Sequence, residues 1–148
     1  MKTIIRILLA SVLFIGCKKD KGVSADSKLI GLWMVVQRGY DTNGDNKIDE
    51  TENDPYINTV LEKRIFAANH KAYDSVDYAV GYYMELGKYN WGYDSGDSIL
   101  HLDFLDYSDK VINSFQSVVH SLTDKQLILS KSGDTAHPYR YFRVYEKR

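Results

Sequence analysis

Residues 41 to 52 read DTNGDNKIDETE, and the chemistry they offer is that of hard oxygen donors. Asp41, Asn43, Asp45, Asp49 and Glu52 present oxygen-bearing side chains along a short loop, and Lys47 can add a backbone carbonyl. Calcium takes about six to eight oxygen ligands in flexible geometry, so a tightly curled loop of this composition suits it. Electrostatics favour the same ion. Asp41, Asp45, Asp49, Glu50, Glu52 and Asp54 crowd together with only Lys47 to offset them, and a cation would relieve their repulsion. The alternative is a solvated connection built from Asx turns, to which Asn43-Gly44 lends itself.

The order of these residues resembles the EF-hand calcium loop. Asp41, Asn43, Asp45, Lys47, Asp49 and Glu52 fall at its first, third, fifth, seventh, ninth and twelfth positions, with Ile48 at the aliphatic eighth. Asn46 stands where the pattern has glycine, and asparagine tolerates the left-handed backbone needed there. The preceding LWMVVQRGY reads as a strand rather than a helix, so the resemblance implies a single structural calcium clip, not a paired hand.

Other chemistry-bearing groups are dispersed. His70, His101, His120 and His137 lack close metal-ligand spacing. His101 and His120 fall on mid-strand positions from which they can face one interior, although a lone strand histidine is more often a surface or satisfied core group. No Gly-x-Ser-x-Gly elbow, phosphate loop or dinucleotide fingerprint occurs, and Asp103 and Asp106 surround a turn. The chain is therefore not expected to be an enzyme. The aromatic run YYMELGKYNWGY (82 to 93) either lines a cavity mouth, holding apolar or sugar-like ligands by ring faces, or packs as ordinary sheet. A net charge of −1 with no basic stripe excludes a nucleic-acid partner.

The segments that must position these groups begin after an address. MKTIIRILLASVLFIGC carries Lys2 and Arg6, an apolar run from Ile7 to Ile15, then Gly16 and the sole cysteine, Cys17. That run falls short of the roughly 20 residues that span a bilayer. Phe14-Ile15-Gly16-Cys17 resembles the signal motif of bacterial lipoproteins. The resemblance implies a signal peptide over 1–16, acyl chains such as palmitate on Cys17, and a membrane anchor without a spanning helix. It places the protein in a bacterial cell envelope, lipid-anchored at the outer membrane on its periplasmic face or at the cell surface. Residues 17–27 then form a lipidated polar tether, and its short charged segment is similar to those of Bacteroidota lipoproteins.

From Leu29 onward about eight short segments of alternating or β-branched residues recur between turn signals. They are 32–40, 59–68, 72–80, 82–93, 98–104, 111–122, 126–130 and 139–147. The charges of TVLEKRIFAA (59 to 68) make it the one segment that can begin as a helical turn. Gly87 marks a bulge or bend, and Asp94-Ser95-Gly96-Asp97 a tight turn. Twelve tyrosines in 148 residues also favour pleated surfaces. Many short strands with no amphipathic helix predict an all-β meander that closes on itself or folds as a sandwich, closure removing exposed edges.

Leu29-Ile30-Gly31-Leu32-Trp33, KYNWGYDSGDSILHL, LTDKQLIL and YFRVYEK together resemble the lipocalin-like domains of Bacteroidota lipoproteins, over residues 28–148. The resemblance implies a lipocalin-like up-and-down antiparallel β-barrel of about eight strands. It gives Gly31 and Trp33 the Gly-x-Trp positions of the first strand, with the indole at the closed end beneath an arginine of the last strand, Arg143 ahead of Arg140. It also implies non-enzymatic binding of a small hydrophobic or glycan-derived ligand. The second reading is a structural or protein-interaction lipoprotein with a filled barrel and no small-molecule ligand; an interior packed solid would select it.

Overall fold

The computed structural model describes residues 25–55, 60–78, 82–131 and 138–148. A short helix, α1 (Ala25–Leu29), precedes eight strands. They are β1 (Gly31–Asp41), β2 (Val60–Phe66), β3 (Lys71–Tyr78), β4 (Tyr82–Asp94), β5 (Ile99–Leu105), β6 (Val111–Leu122), β7 (Gln126–Lys131) and β8 (Arg140–Lys147). Each pairs antiparallel with its sequence neighbours, and β8 returns to β1, so the sheet is an up-and-down barrel with no free edge. The expected all-β barrel is therefore the observed fold. The predicted signal peptide, Cys17 and most of the tether lie outside the described residues, and α1 begins within the last part of that tether. Among the described residues no helix is long and apolar enough to cross a membrane.

Local chemistry sets the turns. Asp94 accepts from the Gly96 N–H at 2.9 Å, Asp106 from Ser108 and Lys110 at 2.8 and 3.0 Å, and the Thr123 hydroxyl from Gln126 at 2.9 Å. These are Asx and Thr turns that fix hairpin register. Gly87 stands beside a register shift between β3 and β4, where an added Cβ would approach Phe104 Cε2 at 2.8 Å. Glycine there leaves room for the Phe104 ring.

One end of the barrel is sealed. Gly31 has φ +138°, a backbone conformation that favours glycine at the turn out of α1, and the Lys147 side chain packs over it. Trp33 is fully buried and its indole N–H donates to the Leu29 carbonyl at 2.7 Å. The cation over this indole is Lys147, not the expected Arg143. Lys147 Nζ lies 5.2 Å from the Trp33 ring centre and donates to the Lys28 carbonyl at 2.9 Å. Arg143 enters the interior too far from the end of β8 to reach the base, and stacks 5.5 Å from Tyr141 instead.

Phe66, Trp91, Leu100, Leu127 and Tyr145 fill the base around Trp33, each contributing about 1.5–3 kcal/mol over an exposed position. Trp91 meets Phe66 edge-on at 5.5 Å and donates to the Ala67 carbonyl at 3.1 Å.

β2 departs from the sequence expectation. Its charges do not start a helix; Glu62, Lys63 and Arg64 are consecutive along a strand, with Glu62 and Arg64 lining the interior. Leu61 and Ile65, on the opposite face, are 46% and 43% exposed.

Candidate functional site

Above the sealed base the barrel is hollow. A cavity of about 230 Å³ is lined by the charged groups of Glu62, Arg64, Asp74, Lys131 and Arg143, with Tyr89, Leu102 and Phe115 supplying the apolar wall. The pairing of neighbouring strands explains the convergence. Arg64 on β2 faces Asp74 on β3, while β7 and β8 bring Lys131 and Arg143 in from the other side. Leu86, at the bulge of β4, lines both this cavity and an outer cleft of about 420 Å³ bordered by Phe104, Leu105, Tyr107 and Ile112.

Arg64 is the best-held charge. It is 6% exposed, donates through Nε to Asp74 Oδ1 at 2.6 Å and through its terminal nitrogen to Oδ2 at 2.5 Å, a bidentate fork. Three rings surround it, Phe66, Tyr89 and Tyr145, at 5.7 to 5.9 Å. Burial pulls its pKa down, but Tyr145 and Asp74 outweigh that pull, so the guanidinium stays charged. The same surroundings raise the Tyr89 hydroxyl, burial first and Asp74 second, which keeps it a neutral donor.

Arg38 of β1 ties the rim together. It donates to Asp54 at 2.8 Å and pairs closely with Glu62. Glu62 is thereby occupied, and Arg143 Nε stays 3.9 Å from it, beyond hydrogen-bond range. That Nε is buried with no hydrogen-bond partner. Lys131 has its ammonium 4.6 Å from the Phe115 ring centre, and the ion pairs among the described residues do not include it. Its pKa is lowered, by burial first and then by Arg143 and Arg64, against the opposing pull of Asp74. Its side chain also retains contact with solvent.

The acidic loop lies against the barrel wall at the open end. Asp54 N–H donates to the Arg38 carbonyl at 2.8 Å, Gln37 Nε2 to the Ile48 carbonyl at 2.8 Å, and Gly39 bridges Asn53. Inside the loop the carboxylates accept from backbone N–H groups. Asp41 takes Gly44, Asp45 and Asn46 at 2.6 to 3.1 Å, and Asn43 and Asp45 each cap the residue two positions on at 2.9 Å. Glu52 reaches back to the Thr42 N–H and hydroxyl and the Asn43 N–H. Asn46 has φ +64°, the left-handed turn for which the pattern has glycine.

The Thr42 hydroxyl is the main cause holding the Glu52 carboxyl below its usual range, and the Thr51 hydroxyl does the same for Asp49. Among the described residues no three His, Cys, Asp or Glu side chains converge as a metal-holding group. Asp41, Asn43, Asp45, Asp49 and Glu52 are thus in loop order but turned onto backbone donors, with the Lys47 carbonyl in the same stretch.

The remaining candidates separate. His101 is exposed and His120 accepts from or donates to the Ser130 hydroxyl at 2.7 Å while lying 4.9 Å from the Phe142 ring, so the two do not share the interior. His70 rests 4.8 Å from Trp91 in the β2–β3 turn, a structural contact. His137 lies outside the described residues. Asp103 accepts from the Ser114 hydroxyl at 2.7 Å and Asp106 caps its turn, leaving no carboxylate pair between them. The aromatic run divides. Tyr82 and Tyr83 are exposed near the open end, Tyr89 lines the cavity and Trp91 belongs to the base.

No family model and no curated protein matches the chain. A solved structure of apocrustacyanin C2 is similar over 82% of this chain and 61% of its own, at 11% identity and a TM-score of 0.44. The chain thus spans less than two thirds of that structure. The interior charges were missed from sequence because the charges of 59–68 were read as the start of a helical turn; the period-two spacing of Glu62 and Arg64 against Leu61 and Ile65 was the available signal.

Proposed function

We propose that this is a non-enzymatic, lipid-anchored envelope protein whose barrel holds a small hydrophobic or glycan-derived ligand. The observation that carries the reading is the cavity of about 230 Å³ above a sealed base, since a filled barrel would have no room for a ligand. Ligand sites run from about 300 Å³ upward, so the occupant is small or extends past Leu86 into the outer cleft. The anchor rests on Cys17 and the apolar run before it. Native mass spectrometry of the protein purified from its own host, searching for a co-purifying small molecule, tests the binding reading; a consistently empty protein sinks it. Replacing Cys17 with serine should release the protein from membranes.

The acidic loop is proposed as a calcium clip that stabilises rather than senses. Its support is the order of Asp41, Asn43, Asp45, Lys47, Asp49 and Glu52 and the left-handed Asn46; binding would require the carboxylates to turn from backbone N–H groups to the ion. Affinity of about 10⁻⁴ to 10⁻³ M, as in extracellular modules, is expected. Melting unaffected by millimolar calcium or by chelator would retire it.

The alternative reading, an interaction protein without a ligand, draws on the outward Leu61 and Ile65 of β2. It predicts an empty cavity together with a captured envelope partner.

A further inference from the structure

The cavity contains more positive charge than it neutralises. Its two carboxylates are both engaged, Asp74 by the Arg64 fork and Glu62 by Arg38. Two further cations line the cavity without a hydrogen-bonded carboxylate, Arg143, whose Nε lies 3.9 Å from Glu62, and Lys131. Arg143 presents a buried Nε with no acceptor, and Lys131 faces the same space with an aromatic ring but no carboxylate for company. Leaving a buried charged donor unpaired is costly, and natural structures rarely tolerate it without a ligand, ion or water to complete it. Burial, and after it the charges of Arg143 and Arg64, hold the Lys131 pKa below its ordinary value.

Resting on the binding reading above, we infer that the cavity ligand is a small organic acid whose carboxylate lies between Arg143 and Lys131. Arg143 supplies N–H donors matched to a carboxylate, and Lys131 supplies a second charge from the adjoining strand. The body of the acid then runs along Tyr89, Leu102 and Phe115 toward Leu86. Both a hydrophobic chain and a sugar ring can carry such a carboxylate, so the shared chemistry is the acid group and not the body.

Isothermal titration calorimetry on the full chain distinguishes these sources, using hexanoate against hexanol and glucuronate against glucose. In at least one pair the acid should bind about tenfold or more tighter than its neutral partner, the worth of a charge-assisted pair. R143M and K131M should each erase most of that preference. Lys131 is partly solvent-exposed, so K131M should keep the parent melting temperature and remains informative even where R143M folds poorly. Equal binding of acid and neutral partner, or an acid preference that survives K131M, overturns the inference while leaving a ligand-binding barrel intact. Binding of none of the four probes overturns it too; an empty protein in native mass spectrometry would then remove the binding reading as well.

Discussion

Gly39 offers a sharp test of how the acidic loop is held. It needs no positive φ; what it needs is absence of a side chain. A Cβ built there would overlap the Glu52 carbonyl oxygen outright, lie 2.9 Å from the Glu52 carbonyl carbon and 3.2 Å from Ile48 Cγ2. Two of these neighbours are backbone atoms, so no rotamer change relieves the clash, and the loop must lift from β1. Lifting strains the Asp54-to-Arg38 and Gln37-to-Ile48 hydrogen bonds and the Gly39–Asn53 bridge. At a net of about 0.5–1.5 kcal/mol each, Gly39→Ala should cost roughly 2–4 kcal/mol. The melting temperature should fall by on the order of 10 °C.

Urea denaturation and calorimetry measure both quantities. The control is Gly92→Ala, where a Cβ meets nothing within 4 Å and stability should hold or rise by a few tenths of a kcal/mol, since alanine restricts the unfolded chain, roughly as at other compatible glycines. If Gly39→Ala unfolds with the same midpoint as Gly92→Ala, the loop is not seated on β1 and its contacts there carry no stability.

Arg64→Met should cost about 3–5 kcal/mol in urea denaturation, because Asp74 is left buried without its partner, while R64M/D74L should recover most of the loss; equal single and double variants would refute the pairing. Lys147→Met should shift the tryptophan emission spectrum by removing the charge over Trp33, and Arg143→Met should not; the reverse result would put the arginine at the indole after all. Burial, and then Arg140, lower the His120 pKa in the folded state. The unfolded chain, with His near 6.5, then binds more protons, so stability declines as pH falls through about 6.5 and levels off below the folded pKa. His120→Gln should flatten the melting profile between about pH 7.5 and 5.5; an identical profile would show that His120 carries none of the slope.

The barrel was legible because closure leaves a regular signature. Leu100 and Leu102 alternate with exposed His101, and Asp94, Asp106 and Thr123 mark turns by side chains that accept from their own backbone. Gly31 and Trp33 were placed at the first strand by the family resemblance of their Gly-x-Trp motif. Lys147 could not be chosen as the covering cation, since which residue of an inward-facing row reaches the base depends on stagger around the barrel, a property of pairing rather than of any one strand. The cavity was illegible for a different reason. Sequence patterns equate charge with solvent, and β2 reverses that equation with Glu62 and Arg64 inside and Leu61 and Ile65 outside.

The chain enters and leaves the barrel at the same pole. α1 covers the base through Leu29, and Lys147 and Arg148 bind back to Lys28 and Leu32 there. The described chain thus begins, at α1, beside the sealed floor. If the proposed anchor at Cys17 holds, the attachment enters on the side of the floor, which would leave the opening of the barrel clear of the tether.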